Sequence, residues 1–219
     1  MNAITLFDYW RSSASYRVRI VLNLKNVPYT RVPTSLLENE QKAPAYVARN
    51  PQGFVPMLSI DGHDLTQSLA IIDYLADKVG RDRFWPKDEV ARGMARSMAA
   101  EMHAGYTALR REFPMNTRKT FHDVTISEET RKDAVRILQT WAEARSRFGK
   151  DGPYLFGTFS AADIMFAPVV TRFVTYGFTL PGFAESYAET IMAHPWMEEW
   201  YAAAAEEPWT IQRIEDAVT

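Results

Sequence analysis

Two textures of hydrophobic patterning divide the chain. Up to about residue 80, short apolar runs alternate with helical spacing, and from residue 88 onward nearly every segment repeats its apolar positions every three or four residues. Ile4 to Asp8 reads as a short strand. Val18, Ile20, Val21, Leu22 and Leu24 mark a largely buried helix that stops near Asn26, ahead of Pro28, and Tyr29 to Pro33 resumes as strand. A strand, a helix and a strand in that order open a right-handed βαβ unit. Leu37 to Arg49 is polar and predicts a loop with a short helix. Met57 to Ile60 and His63 to Thr66 flank the turn pair Asp61-Gly62, the signature of a hairpin, and Ser68 opens a helix with Leu69, Ile71, Ile72 and Leu75 apolar.

The run GRDRFWPK, residues 80 to 87, breaks this pattern with a glycine, charges and a proline. Beyond it, Val90, Met94, Met98, Met102 and Leu109 predict one long helix from Asp88 to Phe113. Thr125-Ile-Ser-Glu128 reads as a capping box for a helix to about Arg147, with Ala134, Ile137, Leu138 and Trp141 on one face. Ser160-Ala-Ala-Asp163 is a second such signature, before a strongly apolar helix to about Tyr176. Shorter helices are expected at Phe183 to Met192 and Pro195 to Glu206. The expected organisation is an α/β domain over 1–80, a linker over 81–87 and an all-α domain over 88–219.

Composition narrows the chemistry. With 219 residues, 47% hydrophobic and 24% charged, the chain suits a folded globular protein. Its 25 basic and 27 acidic residues give a net charge of -2, so nothing global favours nucleic acid or an anionic membrane. No apolar run approaches the roughly 18 residues of a membrane span. The N-terminus MNAITLFDYW lacks a basic segment followed by a long apolar core, so a cytoplasmic protein is expected. There is no cysteine, and the four histidines are dispersed without metal-ligand spacing; no metal is expected, and any thiol chemistry needs a borrowed thiol.

The candidate chemistry starts at RSSASYRVRI, residues 11 to 20. Ser12 or Ser13 caps a helix directly after a strand, where the unpaired N–H groups of the first turn present a positive potential to an anion. Ser68 occupies a similar place at the start of the later helix and offers hydroxyl and amide to a carboxylate. Val55-Pro56 precedes an edge strand, where a cis bond would turn the Val55 backbone toward a ligand. Ser160 and Asp163 are read as a helix cap rather than a nucleophile and acid. Glu38, Glu40, Glu128 and Glu129 are read as solvent-facing, and Met94, Met98 and Met102 as core or subunit-interface filler.

The order YWRSSASYRVRI, NPQGFVP, LTQSLAIIDYL and FSAADI resembles the cytosolic glutathione transferases over essentially the whole chain. The first segment is most similar to the zeta-class pattern SSCSxRVRI. The resemblance implies a thioredoxin-like N-terminal domain that holds glutathione as co-substrate, a helical domain that supplies the pocket of a small electrophile, and a homodimer. It matches Ser12, with Ser13 beside it, to the catalytic serine. Val55 corresponds to the residue whose backbone pairs with the cysteinyl part of glutathione, Pro56 to the cis-proline, and Gln67 and Ser68 to the residues that bind the γ-glutamyl end. The helix carrying Glu101, His103, Tyr106 and Arg110 would line the second-substrate cleft, with His103, Tyr106 and Arg110 sharing a face as candidate contacts. A free thiol with a pKa of about 8.5 is mostly protonated at neutral pH. Ser12, less acidic than a thiol, would act as hydrogen-bond donor to the bound thiolate rather than as a base.

Ala14 stands where the zeta pattern has cysteine, and Phe54 where lysine or glutamine is common before Val-Pro, leaving the glycine carboxylate of glutathione without its usual partner. TRFVTYGFTLPGFAESY departs from the arginine-rich run into DLxxYP found in the isomerases. Three functions stay open: a glutathione transferase; a glutathione-dependent cis-trans isomerase of maleylacetoacetate or maleylpyruvate type, with Arg17, Arg110 and Arg172 as cations for two carboxylates; and a non-catalytic glutathione-binding protein.

Overall fold

The computed structural model describes residues 3–9 and 12–206, so Trp10 and Arg11 of the first motif and residues 207–219 of the helical half lie outside the described residues. The chain separates into two compact units, with the division between Arg83 and Phe84. The first holds β1 Ile4–Asp8, α1 Ser13–Leu24, β2 Thr30–Pro33, a 3-10 turn at Glu40–Lys42, α2 Pro44–Val47, β3 Met57–Ile60, β4 His63–Thr66 and α3 Ser68–Val79. The sheet order is β2-β1-β3-β4. β1 runs parallel to β2, as a connection through a helix requires, and antiparallel to β3, with Leu6 opposite Leu58. Asp61 and Gly62 both take positive φ, 53° and 78°, the geometry of a two-residue hairpin turn joining β3 to β4.

Leu6 and Leu58 are fully buried, as are Val18, Val21 and Leu22 of α1 and Ile71, Ile72 and Leu75 of α3, and these two helices pack together. At the end of β1, Asp8 is fully buried and bridges α1 and β2: its carboxylate lies 2.6 Å from Arg31 Nε and 3.6 Å from Arg19 Nε. Burial pushes the Asp8 carboxyl above its ordinary pKa, against the downward pull of the two arginines.

The second unit contains α4 Glu89–Ala104, α5 Thr107–Glu112, α6 Glu128–Phe148, α7 Ala161–Thr175, α8 Phe183–Met192 and α9 Pro195–Glu206. α7 is apolar on all sides and is accordingly surrounded, packing against α4 and α8. Trp141 of α6 meets the edges of Phe166, Phe173 and Tyr187 around it. The expected cap at Ser160 is present: its Oγ accepts the amide of Ala162, and the Asp163 carboxylate accepts the Ser160 amide at 2.8 Å.

Three helical expectations change. The helix expected from Asp88 to Phe113 is broken: Gly105 is extended and Tyr106 left-handed (φ 55°), so the chain restarts as α5. Two hydrogen bonds compensate for the interruption. Arg110 Nη1 donates to the carbonyl of His103 at 3.2 Å, and Asp133 of α6 accepts the amide of Leu109 at 3.0 Å. The apolar stripe is also narrower than read, because Met98 and Met102 are buried while Val90 is 61% exposed. Finally, Ser127 rather than Thr125 caps α6, accepting the amide of Thr130. Glu112 holds Ser127 Oγ and Thr130 Oγ1 at 2.7 and 2.6 Å and thereby fixes the start of the helix at Glu128.

Candidate functional site

The β1–α1 corner is tied by three short-range bonds. Ser12 N–H donates to Tyr9 O, Tyr9 N–H to Ser15 Oγ, and Ser15 N–H to Ser12 Oγ, at 3.1, 3.3 and 3.2 Å. Ser12 is thus the N-cap, Ser13 the first residue of α1, and Ser15 the buried brace beneath both. No acidic residue lies in the first turn, so the positive end of the helix dipole is not neutralised from within α1. Arg17, expected as a possible substrate cation, turns its Nε back to the Ser13 carbonyl at 3.2 Å.

Tyr9 also packs with Val55, Tyr46 and Met57 in one apolar cluster, which brings the Ser12 corner to the Val55-Pro56 loop. The Val55–Pro56 peptide bond is cis. Among the described residues, neither the N–H nor the C=O of Val55 is paired in a turn, loop or cap hydrogen bond. The loop is fixed instead at its neighbour, because Asn50 Nδ2 and the Tyr46 hydroxyl both donate to Phe54 O, at 2.7 and 2.8 Å. Register then delivers the next element: Met57 lies opposite Thr66, so Pro56 and Gln67 extend from the same end of the hairpin.

At that end α3 begins without a side-chain cap. Gln67 adopts φ 67°, ψ 112°, a sparsely populated conformation for a side-chain-bearing residue, and its Nε2 donates to Gln52 Oε1 at 2.6 Å. The Ser68 hydroxyl, on a residue only 1% exposed, has no hydrogen-bond partner among the described residues. A buried, unsatisfied hydroxyl at an uncapped helix N-terminus is a ready donor to a carboxylate.

Beside it, Lys42 Nζ donates to Gln52 O at 3.2 Å and sits 5.0 Å from the centre of the exposed Phe54 ring. Gly53 permits this approach, since a Cβ there would come within 2.8 Å of Lys42 Nζ and its φ is +59°. Neither Lys42 nor Gln52 carries a local sequence signal for this role. Lys42 falls in the polar stretch expected to form a loop with a short helix, and the pairing of Gln52 with Gln67 depends on tertiary register.

His103, Tyr106 and Arg110 occupy the second unit and share no continuous helical face, because the break at Gly105 intervenes. They meet instead at the α4–α5 corner through the Arg110 to His103 bond. Tyr106 is buried, and burial followed by the nearby Glu101 carboxylate drives its phenol well above the ordinary value. Arg136 grips Glu101 through two nitrogens, at 2.7 and 2.8 Å, and holds its carboxyl below the usual range. Arg172, the third expected substrate cation, is buried and donates to the carbonyls of Phe113 and Pro168 at 2.9 Å each. Burial lowers its pKa to about 10, and its nitrogens are committed to packing α7 against the α5 terminus. Among the described residues no group of three or more His, Asp or Glu is placed to hold a metal ion, and no helix is long and apolar enough to cross a membrane.

Residues 2–77 match the family model for the glutathione S-transferase N-terminal domain, and residues 126–203 match that for the glutathione S-transferase C-terminal domain. The chain belongs to the glutathione S-transferase family. Within that family its curated relatives include the maleylacetoacetate isomerase of Rhizobium meliloti, 52% identical over 98 residues that make up 45% of this chain and 46% of that protein. The zeta-class glutathione S-transferase of Euphorbia esula is 45% identical over 39% of this chain and 38% of its own length. The chain therefore spans about half the length, or less, of these curated relatives. The crystal structure of a maleylacetoacetate isomerase from Methylobacterium extorquens AM1, with bound malonate and glutathione, is 28% identical with a TM-score of 0.66, covering 90% of this chain and 95% of that one. The arrangement of the glutathione S-transferase fold, a mixed four-stranded sheet with its helices followed by a helical half, is thus the one described above.

Proposed function

We propose that the protein is a serine-type glutathione transferase with zeta-like character, in which residues 1–80 hold glutathione and residues 88–219 supply contacts to a small electrophile. The observation that carries this reading is the start of α3, where the buried Ser68 hydroxyl lacks a partner beside the strained Gln67 backbone. Both suit the γ-glutamyl carboxylate of glutathione, which would satisfy the hydroxyl and the open amides of the first turn. The unpaired backbone of Val55, next to the cis-Pro56, would take the cysteinyl backbone in the manner of an added strand. The thiol would then lie toward α1, where the Ser12 hydroxyl donates to it and the Ser13 corner adds the positive end of the helix. The bound thiol releases its proton to solvent and the thiolate sulfur bonds to the electrophilic carbon, either as the carbon–leaving-group bond breaks and the group departs with its electron pair, or as a π bond breaks and the resulting carbanion takes up a proton.

Lys42 answers the question raised by Phe54. Its ammonium, held over the Phe54 ring and against Gln52 O, is the cation we assign to the glycine carboxylate. His103, Tyr106 and Arg110 are assigned to the second substrate. A cytoplasmic homodimer completes the proposal; sedimentation at twice the 25.0 kDa chain mass tests the dimer. The reading as a whole is tested by calorimetric titration with glutathione. Ser68→Ala is expected to weaken binding about 10-fold, the loss of one charge-assisted hydrogen bond, and unchanged affinity would overturn the assignment.

A second reading, glutathione-dependent isomerisation of an unsaturated diacid, is favoured by the named activities of the Rhizobium meliloti and Methylobacterium extorquens relatives. Here the thiolate adds reversibly to a double bond, rotation follows, and the thiolate leaves again, with no net consumption of glutathione. With Arg172 committed to backbone carbonyls, Arg110 is the exposed cation left among the three expected. Turnover of maleylacetoacetate or maleylpyruvate without loss of free thiol separates this reaction from conjugation.

A further inference from the structure

The second unit carries a cavity of about 470 Å³ between the end of α7, the segment Phe178–Thr179–Leu180 and α8. It shares no residue with those assigned above to glutathione or to the electrophile. Its wall is preorganised. Phe178 stands edge-on to Phe113 at 5.2 Å and tilted against Phe173 at 5.0 Å, and its amide donates to the Phe173 carbonyl at 2.9 Å. Gly177, with φ +64°, makes the turn that returns Phe178 to this position. Val174, 42% exposed, and Met192 complete an apolar lining.

The charge on this lining has one sign. Glu185 and Glu189 are its ionisable residues, and among the described residues neither enters an ion pair or side-chain hydrogen bond. They lie four apart on α8, so their carboxylates are neighbours that repel. Glu185, in the first turn, is favoured by the helix dipole. Glu189 is not: it lies in the last turn of a helix that has no basic residue there, facing the negative end. Both side chains are exposed at the mouth of the apolar cavity, so their mutual repulsion is weak in the empty protein. A cation seated between them is attracted to both.

We propose that this cavity is a binding site for a small organic cation with an apolar ring body, its charge between Glu185 and Glu189 and its ring against Phe178, Val174 and Met192. The volume falls within the range of small-molecule sites and is too small for a protein helix. An aromatic wall facing the cation adds to the attraction of the two carboxylates.

The test uses berberine, a planar aromatic cation whose fluorescence rises in apolar surroundings, titrated into the full chain with and without saturating glutathione. Saturable binding of one equivalent per chain is expected in both cases. Glu185→Gln/Glu189→Gln should weaken it at least 10-fold, and Val174→Trp, an exposed substitution that fills the cavity, should abolish it. Glu189→Gln alone should raise the melting midpoint by about 1 °C, because it removes the like-charge pair. Berberine affinity unchanged by the double substitution overturns the site. So does equal competition by the anionic dye 8-anilinonaphthalene-1-sulfonate, which would show a merely apolar surface.

Discussion

The Ser12 hydroxyl oxygen accepts the amide of Ser15 at 3.2 Å, so the helix uses an acceptor lone pair of this side chain and leaves its proton undirected among the described residues. Capping and donation to a thiolate therefore do not compete. Two substitutions separate them. Ser12→Gly costs the cap only a few tenths of a kcal/mol, and Ser12→Ala about 1 kcal/mol, yet each removes the donor. Both are expected to lower kcat about 100-fold and to raise the pKa of bound glutathione, read by thiolate absorbance. Activity that tracked the loss of helix stability instead would reduce Ser12 to a cap.

Ser68 makes the opposite prediction for stability. Its hydroxyl is buried and unpartnered, so Ser68→Ala removes an unsatisfied group and should leave the free protein as stable or slightly more stable. The KM for glutathione should rise about 10-fold with kcat nearly constant. Paired thermal melts and steady-state kinetics check both halves, and a drop in melting temperature with unchanged KM would mark Ser68 as structural.

Both serines stood out in the sequence because cap chemistry is local: a small hydroxyl residue between an apolar strand and a helical repeat suffices. For the same reason the ends of α8 and α9 and the hairpin at Asp61-Gly62 were legible. The interruption at Gly105 was not. One glycine in a helical repeat is tolerated, and the bond that steadies the restarted helix is distant in sequence, with Asp133 of α6 accepting the Leu109 amide. The start of α6 was misplaced by two residues because Thr125 and Ser127 are both good caps, and Glu112 selects between them from another helix. Arg172 illustrates a further limit. Its charge invited a role in substrate binding, and only the position of the Phe113 carbonyl shows that the fold uses it.

Lys42 should matter for one end of glutathione only. Lys42→Met is expected to raise the glutathione KM about 5- to 10-fold, the loss of one partly exposed charge-assisted contact, while kcat stays within twofold. Glutathione esterified at the glycine carboxylate removes the same interaction from the ligand side. The ester should bind wild type and variant alike, so the two changes together should cost no more than either alone. Additive losses would place the carboxylate elsewhere.

Asp163 predicts a pH dependence of stability that has nothing to do with the thiol. Its carboxyl is fully buried and receives hydrogen bonds from the Leu155 and Ser160 amides, Ser160 Oγ and the Tyr187 hydroxyl, at 3.1, 2.8, 3.0 and 3.1 Å. Burial outweighs these four donors and pushes its pKa up from 3.8 to about 6. Between those values the folded state binds the proton more tightly than the unfolded chain. The contribution to stability is therefore fully present below about pH 4 and is lost as pH rises through 6, by about 3 kcal/mol. Asp163→Asn cannot titrate and turns an amide N–H toward donors, at a cost of about 2–4 kcal/mol at pH 7. Denaturant unfolding from pH 4 to 8 should show the gap between wild type and variant narrowing as pH rises, with the change centred between 4 and 6. A gap that stayed constant would mean that the four donors hold Asp163 ionised throughout.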